Sequence, residues 1–194
     1  MSPRPSRLPR TLVLFLSLFL SAVLGVTSSS AATLEQLSNE RLIDESTEIV
    51  RGTVVYCNQI YRQPVIWTVC EINVRERFKG AAAAKVQVAI PGGTAAGLRQ
   101  SFEGTPTLAR NAEYLFFLWQ GKSGLKQIMG LSQGLLNIAT DEKGNLILTR
   151  AKTEDRMVDA AGNSIGDTGV NVRLSDFKAK ILSRAANKAS GARQ

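Results

Sequence analysis

The sequence has 194 residues, a formal net charge of +8 and no histidine. Without histidine the chain has no Ser-His-Asp triad and lacks the usual general base at neutral pH. Its two cysteines cannot complete a zinc site by themselves, so we predict neither a metal nor a cofactor. The moderate excess of positive charge favours an anionic surface or an acidic partner.

The amino-terminal segment has the pattern of an export signal. Arg4, Arg7 and Arg10 precede an apolar run at 12–26, and small residues follow at 30–32. A basic start, a short apolar middle and a small-residue end are typical of a secretory signal peptide, and the run is shorter than the ~20 residues that span a bilayer. We predict a signal peptide over 1–32, a secreted or periplasmic protein, and no stable membrane span after cleavage.

The residues after this signal are enough for one domain with a hydrophobic core, which we predict over 33–186. Thr33 and Gln36 fit a capping box at the start of a helix. The apolar stripe that follows them predicts a short helix over 34–46.

The two cysteines lie in consecutive stretches rich in Val, Ile, Thr and aromatic residues, 50–57 and 65–74. These stretches predict a hairpin that turns at Gln63-Pro64. The opposed residues of that hairpin would be Cys57 with Cys70, Val55 with Ile72, and Thr53 with Val74. Directly opposed strand residues are close enough to be bridged, and export favours oxidation, so we predict a Cys57–Cys70 disulfide. A buried or redox-active cysteine pair is the alternative.

Further short runs predict strands downstream at 85–90, 113–119, 125–131, 135–139 and 146–149. Ser175 caps a predicted helix that ends near residue 186, with Phe177, Ile181 and Leu182 on one face. The basic tail 187–194 is predicted to be disordered. Short strands joined by hairpin turns predict an all-β fold, a barrel or a closed sandwich, with a short amino-terminal helix and a carboxy-terminal helix.

A long stretch between two predicted strands, 91–112, is rich in glycine and proline. It does not fit a phosphate-binding loop, because Pro91 interrupts it, no GxGxxG motif is present and no clear helix follows. Long loops in compact domains are often functional. We interpret this one as either a plain connector or a recognition surface that includes Arg99, Gln100 and Phe102.

Two other motifs are better explained by local structure. The Gly-Lys-Ser at 121–123 resembles the end of a Walker motif, but Phe116 stands where that motif needs a glycine. Asp159, Asn163 and Asp167 lack the spacing of an EF-hand calcium loop and are predicted to be turn residues. We therefore predict neither nucleotide binding nor a calcium site.

Several of these segments, in this order, resemble a group of uncharacterised secreted bacterial proteins, over roughly 46–139. The match is carried by Gly52, Lys79-Gly80, Pro91-Gly92-Gly93, Glu113, Tyr114, Leu118 and the stretch 130–134. The layout is also similar to the OB-type barrel of netrin-like domains and of tissue inhibitors of metalloproteinases. The resemblance implies a small, closed or partly open OB-like β-barrel. Those inhibitors reach the protease metal with an amino-terminal cysteine, and this chain has none near residue 33.

The sequence favours a secreted, non-catalytic binding or inhibitory module that recognises an extracellular or envelope protein. Exposed aromatic and arginine side chains at loop tips suit recognition, and the candidates are Tyr61, Arg62, Trp67, Arg99, Gln100 and Phe102. Export argues against a nucleic-acid partner. One alternative is a structural envelope component bound to anionic surfaces. Another is a carboxylate-dependent hydrolase using Glu71 or Glu113, although no spacing indicates a paired site.

Overall fold

A ring of five hydrogen-bonded strands forms the centre of the protein, and a short sheet extension and two helices cover one side of it. The computed structural model describes residues 33–153 and 155–191. The predicted signal peptide, 1–32, lies outside these residues, as does 192–194 of the predicted tail. None of the helices in the described part of the chain is long and apolar enough to span a bilayer.

In chain order the elements are β1 (Thr33–Glu35), α1 (Asn39–Glu45), β2 (Glu48–Arg62), β3 (Val65–Lys79), β4 (Lys85–Pro91), β5 (Gly93–Ala95), β6 (Leu98–Gln100), β7 (Glu113–Gln120), β8 (Lys126–Ile128), a 3-10 turn (Leu131–Gly134), β9 (Leu135–Thr140), β10 (Leu146–Arg150), β11 (Arg156–Val158), β12 (Ser164–Ile165), β13 (Val170–Arg173) and α2 (Leu174–Gly191).

The ring runs β7-β2-β3-β4-β8 and closes because β8 pairs again with β7. Every pair in the ring is antiparallel except β4 with β8, which is parallel. A five-stranded Greek-key barrel of this kind is the OB arrangement. The predicted fold class, an all-β OB-like barrel with flanking helices, is confirmed. On the edge of β7 that pairs with β8, residues 114–116 pair instead with β9, and from there the sheet continues through β10 and β13.

Alternate residues of β7 divide the apolar side chains into two cores. Tyr114, Phe116 and Leu118 point into the barrel, where they meet β2, β3 and β4. Leu115 and Phe117 point outwards and pack against α1 and α2. Phe117, for example, meets Phe177 of α2 edge to face, with ring centroids 5.8 Å apart. Because a strand exposes its two faces alternately, one continuous apolar run can serve both cores.

The predicted helix over 34–46 is wrong at its amino-terminal end. Residues 33–35 form β1, which pairs with β11 in parallel, and Gln36 N donates to Val158 O at 2.8 Å. The buried side chain of Gln133 accepts from Leu37 N at 2.8 Å and donates to Glu35 O at 3.0 Å. These long-range bonds outweigh the local capping box. The helix begins only after Ser38, whose hydroxyl accepts from Arg41 N.

The hairpin turns at the predicted Gln63-Pro64, and Cys57 lies opposite Cys70 as predicted. The other predicted pairs are wrong: Ile72 lies opposite Val54 instead of Val55, and Val74 lies opposite Gly52 instead of Thr53. The cause is a β-bulge between Val54 and Tyr56, which adds one residue to β2. Val54, and not Val55, consequently points into the barrel, where its side chain is fully buried.

The carboxy-terminal helix is longer than predicted. It runs through Gly191, beyond the predicted end near residue 186. Its buried contacts come from Leu174, Phe177 and Ile181, whereas Leu182, predicted on the same face, is 54% exposed. Spacings of three and four residues keep the first three on one face, and Leu182 falls outside that stripe.

The connection after β10 is fixed by a buried ion pair, and Asp167 is therefore more than the predicted turn residue. Arg150 Nη1 and Nη2 donate to its two oxygens at 2.5 and 2.8 Å, and the amides of Thr153 and Gly169 donate to the same carboxylate. The hydrogen bonds from Arg150, with those amides, hold the pKa of the Asp167 carboxyl well below its ordinary value. Asp159, by contrast, accepts from backbone amides within a local turn, as predicted.

Candidate binding surface

The two ends of the barrel have different chemistry. At one end the Glu48 carboxylate forms ion pairs with Arg77 Nη1 and Lys126 Nζ, both at 2.5 Å. The side chains of Glu48 and Arg77 are each 12% exposed. Burial pushes the pKa of the Glu48 carboxyl upwards, but the bonds from Lys126 and Arg77 outweigh it, so that the pKa lies below its ordinary value. We call these three residues the ion triad. The other end of the barrel carries the disulfide.

The predicted disulfide between Cys57 and Cys70 is present, with a Cα separation of 4.0 Å. Cys70 is fully buried among the barrel core residues, whereas Cys57 is exposed. Beyond Thr53, where its pairing with β7 ends, β2 continues to the turn at 63–64, while β3 stays paired with β4 as far as Trp67. The bond therefore cross-links the two strands of the hairpin beyond the point where β2 leaves β7.

The loop 92–112 folds back against that hairpin. Gly92 N donates to Ile66 O at 2.7 Å, and the Thr68 hydroxyl donates to Gly92 O at 2.8 Å. The Gln100 side chain accepts from Ile66 N at 2.7 Å and donates to Pro64 O at 3.0 Å. Within the loop, β5 and β6 form a small hairpin of their own. The loop is therefore an ordered layer against the hairpin.

Gly93 is required where this layer meets β2 and β3. Its φ is +133°, a conformation that side chains disfavour. A Cβ at this position would lie 2.9 Å from the Thr68 hydroxyl and 3.0 Å from Gln59 Cγ. The absence of a side chain at Gly93 therefore lets the loop pack directly against the Thr68 and Gln59 side chains.

A cleft of about 300 Å³ opens between the hairpin and the loop. The disulfide, Gln59 and Thr68 form its hairpin side, and Ser101 and the segment 105–108 form its loop side. We call it the disulfide cleft. Its lining combines amide and hydroxyl groups with apolar atoms, and this combination can hold a side chain of a bound molecule.

Four of the six predicted contact residues lie on the surface beside this cleft, and two have structural roles. Tyr61 and Phe102 are 40% and 41% exposed, and Arg62 and Arg99 are exposed as well. Trp67 is only 8% exposed. Gln100 uses its amide to hold the hairpin.

Sequence reasoning missed three further exposed apolar residues here, Tyr56, Ile60 and Leu98. The strand pattern predicted Tyr56 as an ordinary sheet position, and Ile60 fell between the predicted strands 50–57 and 65–74. We call the hairpin tip, residues 56–62, and the loop residues 98–102 together the hairpin–loop surface. The Arg62 guanidinium braces its edge by donating to Ser123 O at 3.0 Å.

The two candidate hydrolytic carboxylates pair with different cations. Glu71 pairs with Lys85 at 2.7 Å, and Glu113 pairs with Arg51 and Arg75 at 3.0 and 3.3 Å. Within 33–153 and 155–191 no group of three or more Cys, Asp or Glu side chains is placed to hold a metal ion.

Comparison of the chain with protein-family models and with curated proteins finds no match. Function is therefore inferred from the geometry and chemistry of the hairpin–loop surface. The features that bear on it are the exposed apolar side chains, the disulfide cleft and the bonds that fix the loop.

Replacing Gln100 by alanine is expected to lower the free energy of unfolding by about 1–2 kcal/mol, because the amide of fully buried Ile66 loses its acceptor. Urea unfolding measures the change. Arg99→Ala, an exposed neighbour, is the matched control and should leave the midpoint almost unchanged. Equal midpoints for the two variants would show that Gln100 does not hold the loop to the hairpin.

Proposed function

We propose that the protein is an exported, non-catalytic binding module that recognises an extracellular or envelope protein through the hairpin–loop surface. One observation carries this proposal. Of the six exposed large apolar side chains in the described residues, five belong to the hairpin or the loop: Tyr61 lies on the hairpin face that carries Cys57 and Gln59, Tyr56 and Ile60 lie on the opposite face of the same strand, and Leu98 and Phe102 lie on the loop, whereas Leu182 is elsewhere. Apolar side chains gathered in one region of a surface are a mark of interaction sites.

The way this surface is built supports the proposal. The disulfide fixes the base of the hairpin, the bonds of Gly92 and Gln100 fix the loop, and Arg62 ties the tip to the β7–β8 turn. A surface that is already ordered loses less conformational entropy when it binds. Export is the consistent location, because disulfides form and persist in oxidising compartments.

The side-chain chemistry suits a protein partner. Tyrosine and arginine are enriched among the residues that dominate binding energy at protein interfaces. Tyr61 adjoins Arg62 at the hairpin tip, and Arg99 lies beside Gln100 on the loop. The surface therefore offers apolar contact area with cations beside it.

An envelope component bound through a basic surface has less support, because many basic side chains are already paired with carboxylates. These are Arg41, Arg51, Arg75, Arg77, Lys85, Lys126, Arg150, Lys178, Lys180 and Arg184. A carboxylate-dependent hydrolase has no support from Glu71 and Glu113, which bind different cations.

The test is capture of partners from the native secreted and envelope fractions with the tagged full chain, comparing two variants. Tyr61→Ser with Phe102→Ser removes two exposed rings from the hairpin–loop surface. Leu182→Ser removes a still more exposed apolar side chain, on α2, and is the matched control. We expect a reproducible partner that the control retains and the double variant loses at least ~10-fold, the loss of about 1.4 kcal/mol of binding energy. Equal capture by both variants would refute the proposal.

A further inference from the structure

The hairpin leaves one backbone edge of β2 without a partner in the described residues. From Glu48 to Thr53 this edge pairs with β7. At the next position Val54 N donates to Ala112 O, and Asn111 N donates to Val54 O. Beyond the bulge, residues 56–62 pair with β3 on one side only.

The geometry identifies which backbone groups face outwards. Opposed residues in antiparallel strands are about 4.5 Å apart where their own amides and carbonyls point away from each other, and about 5.5 Å apart where they bond. Cys57 and Cys70 are 4.0 Å apart, so they belong to the first kind. Alternation then assigns the same outward direction to Gln59 and Tyr61.

The opposite strand supports this assignment independently. Ile66 lies opposite Tyr61, and its amide and carbonyl bond to the Gln100 side chain and to Gly92 N, away from β2. Among the described residues no hydrogen bond is made by the outward backbone groups of Cys57, Gln59 or Tyr61, and all three residues are exposed. Together they present three amides and three carbonyls in a row.

This edge lacks the features that normally prevent strand addition. Proteins protect exposed edges with charged side chains, proline or bulges. Residues 56–61, Tyr-Cys-Asn-Gln-Ile-Tyr, contain no charged residue and no proline, and the bulge lies before them. Cys57 and Gln59 also line the disulfide cleft. An added strand would therefore place alternate side chains beside that cleft.

Two arginines flank the edge. Arg62 follows it at the hairpin tip, and Arg110 precedes Asn111, whose amide bonds to Val54 where the free edge begins. Both arginines are exposed. Without the three arginines of the predicted signal peptide the chain carries a net charge of +5 (8 − 3), which disfavours a second copy, and the flanking cations favour acidic residues at both ends of an incoming strand.

We propose that the partner binds by β-strand addition: an extended, acidic-flanked segment of another protein pairs with the outward backbone groups of Cys57, Gln59 and Tyr61. This inference depends on the proposed function and specifies its mode of recognition. In such complexes the main-chain hydrogen bonds supply affinity, and pockets for alternate side chains supply specificity.

The first test measures hydrogen exchange of the full chain with a synthetic probe peptide, Asp-Glu-Thr-Val-Thr-Val-Thr-Glu-Asp. We expect slower exchange at the amides of Cys57, Gln59 and Tyr61, and binding at least ~10-fold weaker for the same peptide flanked by lysines. Exchange at these amides that is unchanged at saturating peptide would overturn the inference.

The second test uses the backbone itself. Gln59→Pro removes one outward amide, a substitution that edge strands accept where the N–H faces solvent, and Gln59→Ala removes the side chain but keeps the amide. We expect the proline variant to bind the acidic peptide at least ~10-fold more weakly than the alanine variant. If the proline variant does not fold, Arg62→Glu with Arg110→Glu serves instead and should reverse the preference to the lysine-flanked peptide. Unchanged preference would overturn the inference.

Partner capture separates failure of this inference from failure of the proposed function. If capture depends on Tyr61 and Phe102 but persists in Gln59→Pro, the hairpin–loop surface binds through side chains and strand addition is wrong. If capture does not depend on Tyr61 and Phe102, the proposed function itself fails. A dimer that sediments as such and is lost in Gln59→Pro would make the occupant a second copy and overturn the inference.

Discussion

Replacing Glu48 by glutamine is expected to lower the free energy of unfolding by about 3–5 kcal/mol, one of the two largest effects we predict. The substitution removes the anion that Arg77 and Lys126 share at the barrel end opposite the disulfide. Arg77 is then left buried with too few partners, and its Nε already has none. Urea or thermal unfolding at neutral pH measures the loss.

The matched control for Glu48 is Glu45→Gln, which breaks an exposed pair with Arg41 within one helix turn. Exposed pairs contribute little, because water and salt screen them, so this variant should unfold close to the wild-type midpoint. If the two variants have the same free energy of unfolding, the ion triad does not stabilise the barrel.

Replacing Asp167 by asparagine is expected to cost about 3 kcal/mol, since it leaves Arg150 buried without its counter-ion. The same contact makes stability depend on pH. The folded pKa of Asp167 is lowered, chiefly by Arg150, so the contribution is fully present above the ordinary carboxyl pKa of about 3.9. It is lost as the pH falls from there through the folded pKa.

Unfolding free energies measured from neutral pH into this acid range should therefore fall more steeply for wild type than for Asp167→Asn. Asp159→Asn is the comparison variant: hydrogen bonds from the Asn163 side chain and from turn amides also lower the pKa of Asp159, but no buried arginine depends on this carboxylate, so its curve should stay closer to wild type than that of Asp167→Asn. Parallel pH curves for wild type and Asp167→Asn would contradict the assigned role of the Arg150 contact.

The strand pairing that brings Cys57 to Cys70 was predictable, because alternation and the Gln63-Pro64 turn set the register near the tip. The register nearer the barrel was not, because an extra residue at Val55 shifts the pairs from Val54 to Gly52, and two further irregularities follow between Gly52 and Ile49. Nothing in a run of Val and Thr marks where a bulge will fall.

Long-range contacts explain the errors outside the hairpin. The capping box at Thr33 is a local signal. It does not form, because 33–35 pair with β11 and the Gln133 side chain bonds to Glu35 and Leu37, about a hundred residues away in the chain. Composition alone also could not assign individual roles within the predicted surface. Trp67 is buried, and the Gln100 side chain bonds to the hairpin backbone.

Because the apolar side chains are divided between two cores, local unfolding at the carboxy terminus affects only one of them. The helix α2 contributes Leu174, Phe177 and Ile181 to the outer core only, whereas the hairpin is anchored through Cys70 in the inner one. Local unfolding of α2 leaves the inner core's own contacts in place. A protease that trims the carboxy terminus would then shorten the protein while the hairpin end of the barrel stays folded.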